Sequence, residues 1–529
     1  MRRCFSEEFN SVYMFDLLGN QRTQGEESRR QGGKVFGSGS RAPIAITMLV
    51  KNPASAEHGV VHYHCVGEYL SQEEKLSAIA GCIDADPEWE ILAQDRYGDW
   101  LDQRNDSFCE FAPMGIENKP GKKPDGIFQI YSSGVQTNRD AWVIGYDSEA
   151  VWENSKRMVS NYNEELNRCA SGAKPTDDPK LICWTRGLRK RFARGERLAI
   201  TKGEIRTTMY RPFCKQYLLL NKQINEYVYQ AEAMFPNGSS KDNIIIMAAK
   251  DTLLITRDTP NLELIHHGQC FPLYWYETTD DSLLSRRGET VRHDAITDEA
   301  LAVFRAAYPN AFPKRYKRDG GMELTKEDIF YYVYGILHSP EYRERFAANL
   351  QRELPRIPLV SAFREFSMAG RALADLHLNY ESVDPWPLTI RGNRSQYDIA
   401  GLRNPGPVEK MKWGKRRDPE TGKRVNDYTT LVYNDNLTYA DIPEQANDYK
   451  VNGRSPLEWM VDRYQVKTDK ATGIVNDPNE YSDDPAYICN LVPRLVTVSM
   501  RTLEIIESLP PIREIVKPAD WPVAWKAEV

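Results

Sequence analysis

Residues 32–50 read GGKVFGSGSRAPIAITMLV, and the fold turns on what their glycines do. A loop that binds a dinucleotide or S-adenosylmethionine needs a strand before its glycines and a helix after them, because the helix N-terminus and the close approach of bare backbone hold the ligand. Here a polar loop, GNQRTQGEESRRQGGK (residues 19–34), comes first. Pro43 and the β-branched Ile44, Ile46, Thr47 and Val50 that follow oppose a helix. The context predicts a turn at FGSGS leading into a strand over 43–51, not a cofactor loop.

Outward from this turn, SVYMFDLL and GVVHYHCV read as strands near 12–18 and 60–66, the latter expected to run antiparallel to 43–51. SQEEKLSAIA then carries a capping-box spacing, Ser71 to Glu74, at a helix start. Such an opening behaves like the last strands of an α/β domain. From about residue 85 short strands, Gly/Pro turns and charged helices alternate. Within LTKEDIFYYVYGILHSPEYRERFAANLQRELPRIP the pattern predicts two helices split at Ser339-Pro340, the second amphipathic and ending at Pro355. A final helix is expected in AYICNLVPRLVTVSMRTLEIIESL.

The chain has 529 residues, enough for two to four domains, and its 41% hydrophobic and 27% charged content is ordinary for a globular protein. No uncharged apolar run of about 18 residues is present, so no transmembrane helix is indicated. The nine cysteines stand singly, with no CxxC, which suits a reducing cytoplasm better than a disulfide framework or zinc knuckle. A net charge of −6 argues against nonspecific coating of nucleic acid but leaves room for local basic clusters. Two stand out, WTRGLRKRFARGER (Trp184 to Arg197) and KMKWGKRRDPETGKR (Lys410 to Arg424). Each is also consistent with a solvated face.

Other chemical candidates fail on context. His58, His62, His64 and Cys65 in EHGVVHYHC could hold zinc, but no second cluster stands at ligand spacing and Cys65 would point to the opposite face. GIENKPGKKPDG is one residue too long between Gly115 and Gly121 for a phosphate loop and lacks its Ser/Thr. No GxSxG, HExxH, Asn-Pro-Pro-Tyr or Asp-Pro-Pro-Tyr occurs.

The stretch Phe15 to Pro53, with IYSSGVQTNRDAW, YRPFCKQYL, QCFPLYWY, DIFYYVYGILHSPEYRERF, LPRIPL, LEWMVDRYQVKTDKATGIVNDPN and NLVPRLVTVSM, resembles the C-terminal portion of Type ISP restriction–modification enzymes, nearly throughout and in order. These single-chain bacterial machines join nuclease, helicase-like ATPase, adenine-N6 methyltransferase and target-recognition domain. The resemblance implies an α/β remnant, the last strands of a Rossmann-like methyltransferase sheet, over residues 1–75. A mixed α+β target-recognition domain with C-terminal helices, in one or two lobes, would fill 76–529. The family's cofactor motif and Asn-Pro-Pro-Tyr motif lie upstream of the matched region, and this chain has neither. No cofactor is therefore expected on this chain alone, although S-adenosylmethionine, ATP and Mg belong to the full-length family. Any methylation would draw on a separate polypeptide.

The implied partner is double-stranded DNA. Flipping an adenine for methylation requires the flanking duplex to be held; phosphate contacts supply register and base-edge contacts supply sequence. Arg186, Arg189, Lys190, Arg191 and Arg194 are candidates for phosphates, as are Lys412, Lys415, Arg416 and Arg417. Asn20, Gln21 and Arg22 would lie near the target base if the resemblance holds, or else form an ordinary polar connection. Two other classes of function stay open at this point: an independently active enzyme with an unrecognised site, and an inert remnant or scaffold.

Overall fold

The segment SVYMFD forms the strand around which the first part of the chain is organised. In the computed structural model the described residues are 1–22, 25–36, 40–84, 86–115, 126–236, 243–250, 252–266, 268–278, 290–311, 324–392, 406–419, 422–513, 516 and 525. Gly37, Ser38 and Gly39, the centre of the expected FGSGS turn, lie outside them, as does the 116–125 part of the rejected phosphate loop. The chain divides into two compact units. The first comprises Met1–Phe108, Arg345–Glu353 and Asn452–Arg454; the second holds the remainder.

In the first unit α1 (Arg2–Glu8), β1 (Ser11–Asp16), α2 (Gly25–Arg30), β2 (Ala45–Val50), β3 (Val60–Cys65), α3 (Gln72–Asp84) and β4 (Glu90–Leu92) follow in order. The sheet order is β2-β1-β3-β4. β2 pairs antiparallel with β1, and β3 pairs parallel with it. The strands expected at 43–51 and 60–66 thus run in opposite directions but do not pair; β1 separates them. Their register puts Val12 beside Leu49 and Val61, and Val12, Val61 and Trp100 form the small apolar core of this unit. β2 is an open edge on which Ile46 and Met48 are exposed.

The polar loop after β1 contains a structural element that its composition hides, the six-residue α2. The Lys75 ammonium on α3 is buried and donates to the Gln31 and Gly33 carbonyls at 2.7 and 2.9 Å, which clasps that loop to the helix. Ser71 and Glu74 form the anticipated capping box: the Glu74 carboxylate accepts from Ser71 N–H at 2.7 Å, and Ser71 Oγ accepts from Glu74 N–H at 3.3 Å. The strand histidines have an aromatic setting. Tyr13 stacks on His62 at 4.3 Å and Phe15 on His64 at 5.0 Å, with the Trp89 edge against them. Among the described residues no group of three His, Cys, Asp or Glu could hold a metal ion.

Asp99 is also buried in this unit. It accepts from Arg2 and from Arg104 at 2.9 Å, with Arg352 at 3.6 Å. Asn349 pairs reciprocally with the Asn105 backbone, and Phe346 packs on Phe108. The helix expected to run from Pro340 to Pro355 is instead two short pieces, Pro340–Arg345 and Ala347–Leu350, because Phe346 leaves helical geometry between them.

The second unit contains α4 (Ser148–Cys169), α5 (Arg186–Ala193), β5 (Ile205–Arg211), β6 (Cys214–Leu219), β7 (Ile245–Ala249), β8 (Thr252–Thr256), β9 (Gln269–Pro272), α6 (Lys326–His338), α7 (Phe363–Leu378), β10 (Thr389–Gly392), β11 (Lys412–Arg417), β12 (Arg424–Val432), β13 (Leu437–Ala440), α8 (Pro456–Arg463) and α9 (Tyr487–Glu507). Three four-stranded sheets result. β8-β7-β9 is completed by Ser132–Ser133, β5-β6 is flanked by Thr259–Pro260 and Ile144–Gly145, and β10-β13-β12-β11 forms the third. The fold class is mixed α/β. The apolar face of α9, through Leu491, Val492 and Leu495, meets Tyr439, Leu457 and Met460 in one extended hydrophobic core. α6 and α7 cross in backbone contact at Gly335 and Gly370, where a Cβ on either would run into the other helix's carbonyls. Beside this crossing the Tyr334 hydroxyl meets His377 Nδ1 at 2.7 Å, and His377 Nε2 meets Thr502 Oγ1 at 2.8 Å.

Candidate nucleic-acid interface

The first basic cluster folds as α5. Thr185 caps it, its hydroxyl accepting from Leu188 N–H at 3.3 Å, and Leu188 is the buried anchor of the helix. The five cations then diverge. Arg189 pairs with Asp177 at 2.7 Å and lies over the Trp184 ring. Arg191 pairs with Glu196 at 2.8 Å and donates to the Lys222 carbonyl, and Arg194 reaches the same Glu196 at 3.4 Å. Arg186 and Lys190 are exposed, with no acidic partner among the described residues. Lys190, Arg191 and Arg194 share one flank, with Lys222 and the buried Arg139 around a cavity of about 200 Å³.

The second cluster is the hairpin β11–β12. Trp413 packs into the core and against Tyr428, and a register shift at Trp413/Gly414 follows. Beyond the shift Lys415 bonds Asn426 across the strands, Arg416 pairs with Glu444 at 3.1 Å, and Arg417 stands directly opposite Arg424. Lys412, Lys415, Arg416 and Arg417 are all exposed. Two arginines facing each other across a ladder repel, so this end of the ribbon gains from an anion between or beside them.

The loop candidates separate. Gln21 spends its amide on the loop itself, donating to the Gly32 carbonyl at 2.7 Å and to Ser28 O at 3.4 Å. Asn20 Oδ1 accepts from Arg22 N–H at 3.1 Å. These two are built into a polar connection, whereas the Arg22 side chain is exposed.

Residues 126–491, which include both basic elements, match the Type ISP C-terminal specificity domain. The chain belongs to the Type ISP family. Among solved structures, this Type ISP chain is similar to a nuclease-deletion mutant of the Type ISP restriction-modification enzyme LlaGI in complex with a DNA substrate mimic: 37% identity, TM-score 0.79, covering 98% of this chain and 45% of that one. The ATP-dependent Type ISP enzyme LlaBIII bound to DNA is 33% identical, TM-score 0.79, over 97% of this chain and 32% of that one. The DrdV–DNA complex is 29% identical, TM-score 0.76, over 96% and 48%. This Type ISP chain therefore spans less than half the length of these solved structures. No curated protein matches it.

Two further candidates of this Type ISP chain escape a reading of charge runs, and a third stands at the end of one. Arg139 and Asn225 are buried beside α5, and Arg424 closes the hairpin. Arg139 stands alone in NRDAW and Asn225 in a neutral loop, so nothing local marks them. Arg424 is the far end of a run whose first half draws attention.

Proposed function

We propose that this chain recognises a specific sequence in double-stranded DNA as the target-recognition part of a Type ISP restriction–modification enzyme. The observation that carries this is the likeness over 98% of the chain to a Type ISP enzyme solved with a DNA substrate mimic. Two exposed basic elements support it: α5 would serve phosphates through Arg186 and Lys190, with Arg189, Arg191 and Arg194 as ion-paired reserves. The hairpin carrying Lys412, Lys415, Arg416 and Arg417 has the form of a two-stranded ribbon, which the major groove admits.

In this reading residues 1–75 are the end of a methyltransferase domain and 76–529 the recognition domain. Parallel pairing of β1 with β3, flanked by antiparallel β2, supports a methyltransferase-type sheet edge. Arg22 stands near the target base, and Asn20 and Gln21 shape the loop that presents it. The cofactor loop and catalytic motif that methylation needs lie outside residues 1–529, and these residues by themselves bind neither S-adenosylmethionine nor ATP. Calorimetry of the purified chain with S-adenosylmethionine tests that part; micromolar binding would overturn it.

Recognition itself is tested by binding to a randomised duplex pool at two salt concentrations, followed by sequencing of the bound fraction. One enriched sequence is expected. A bound pool as random as the input, from a folded chain, would remove sequence recognition.

A further inference from the structure

Arg139 is buried to 4% exposure and spends one of its donors, Nη2, on the Thr185 hydroxyl at 2.6 Å. Its Nε and Nη1 have no partner among the described residues. Asn225, equally buried, accepts from Asn221 N–H at 2.8 Å, while its Nδ2 has no partner either. Both side chains line the cavity of about 200 Å³ against α5. The orphaned atoms of these two lining residues are all N–H donors. A buried donor without an acceptor is costly, and more so when the group is charged. Their natural complement is a small group rich in lone pairs and negative in charge.

The rest of the wall agrees in sign. Lys190, Arg191, Arg194 and Lys222 line the same cavity, and one carboxylate, Glu226, faces them. Glu226 is already engaged, accepting from Gly187 N–H at 3.0 and 3.2 Å through its two oxygens. Glu196 and Glu232 draw on Arg191, Arg194 and Lys222 but leave Arg139 and Lys190 without an ion pair among the described residues. Burial pulls the Arg139 guanidinium down to about 10, with Cys183 and Glu226 acting the other way, so it stays charged at neutral pH. The fork of a guanidinium suits two oxygens of one phosphate.

We propose that this cavity seats a single backbone phosphate of duplex DNA, held by Arg139 and Asn225 from below and by Lys190 and Arg194 at the rim. This rests on the DNA reading above and adds where the duplex backbone is gripped. One seat accounts for one phosphate. It predicts an effect confined to a single position of the duplex.

The test takes the full chain and the duplex enriched from the random pool, in versions carrying one neutral methylphosphonate at each successive position. Neutralising the seated phosphate should weaken binding by about tenfold or more, as for one charge-assisted hydrogen bond. The variant Lys190→Ala/Arg194→Ala, altered on exposed side chains alone, should lose its sensitivity at that position and keep it elsewhere. Its log–log salt slope should fall by about 0.9 for each phosphate it no longer neutralises. Arg139→Lys, which keeps the charge but not the fork, should reproduce the loss at the same position. If the variant remains sensitive at every position to which the original chain is sensitive, the seat is overturned. A folded chain that binds no duplex overturns the DNA reading and the DNA occupant together. Protection of that chain against thermal unfolding by inorganic phosphate, absent from the rim variant, would then mark a free-phosphate site instead.

Discussion

The Tyr439 hydroxyl donates to the Cys489 carbonyl at 2.8 Å, the acceptor that Pro493 leaves without its intrahelical partner in α9. A strand side chain thus completes the hydrogen bonding of a helix that its own sequence interrupts. Tyr439→Phe strands that buried carbonyl and should cost about 1–3 kcal/mol of stability, read by urea unfolding. Adding Pro493→Ala restores a backbone donor and should return much of the loss. No recovery in the double variant would mean that the tyrosine acts through packing instead.

In α5 the cations should differ in worth to DNA binding. Arg189 must first give up Asp177 and Arg191 must give up Glu196, whereas Lys190 has no ion pair to break among the described residues. Lys190→Ala should weaken binding to all duplex sequences more than Arg189→Ala does. Titrations at two salt concentrations decide it, and equal effects would show that the ion pairs cost nothing to open.

Within the loop after β1, Gln21 and Arg22 should part company. Gln21→Ala removes amide bonds to backbone carbonyls and should speed hydrogen exchange across residues 19–33, at a cost of about 1 kcal/mol. Arg22→Ala should leave exchange unchanged and reduce cognate binding. The reverse pattern would exchange their roles.

Asp99 accepts from Arg2 and Arg104 in a buried setting. Asp99→Ala removes the buried carboxylate that these partly exposed guanidinium groups meet and should destabilise the first unit by about 1–3 kcal/mol. Proteolysis within residues 1–108 should accelerate while the second unit keeps its protection.

Acid should loosen the α6–α7 crossing. Burial holds His338 down to about 3 and His377 well below its ordinary value, with His338 adding to the latter effect. Both are neutral in the folded chain, whereas the unfolded chain takes up protons near pH 6.5. Their contribution is complete above that pH and is lost as pH falls toward the folded values, by about 1.4 kcal/mol per pH unit for each histidine in that window. Unfolding at pH 7 and 5 reads the slope; His338→Gln should flatten it.

Local signals in the sequence translated well and long-range ones did not. Ser71 and Glu74 lie three residues apart, so their capping box was visible in the chain itself. β1 and β3 are joined only across more than forty intervening residues, and nothing in either strand states that β2 lies on the far side of β1. Helix α2 was hidden because glycine, glutamate, serine and arginine also compose loops. Charge runs located α5 and the hairpin but not the acids Asp177, Glu196 and Glu444 that meet them. Arg139 acquires meaning only when the fold buries it beside Thr185.

Gly335 and Gly370 are thirty-five positions apart in the chain and touch through their backbones. Most core positions can trade volume with a neighbour, one shrinking as another grows. These two have nothing to give up, since neither carries a side chain. A methyl group on one cannot be excused by any change in the other, so drift at the two codons is closed separately and at once. Lineages of this domain should therefore be free to rework the exposed basic hairpin while this crossing stays as it is.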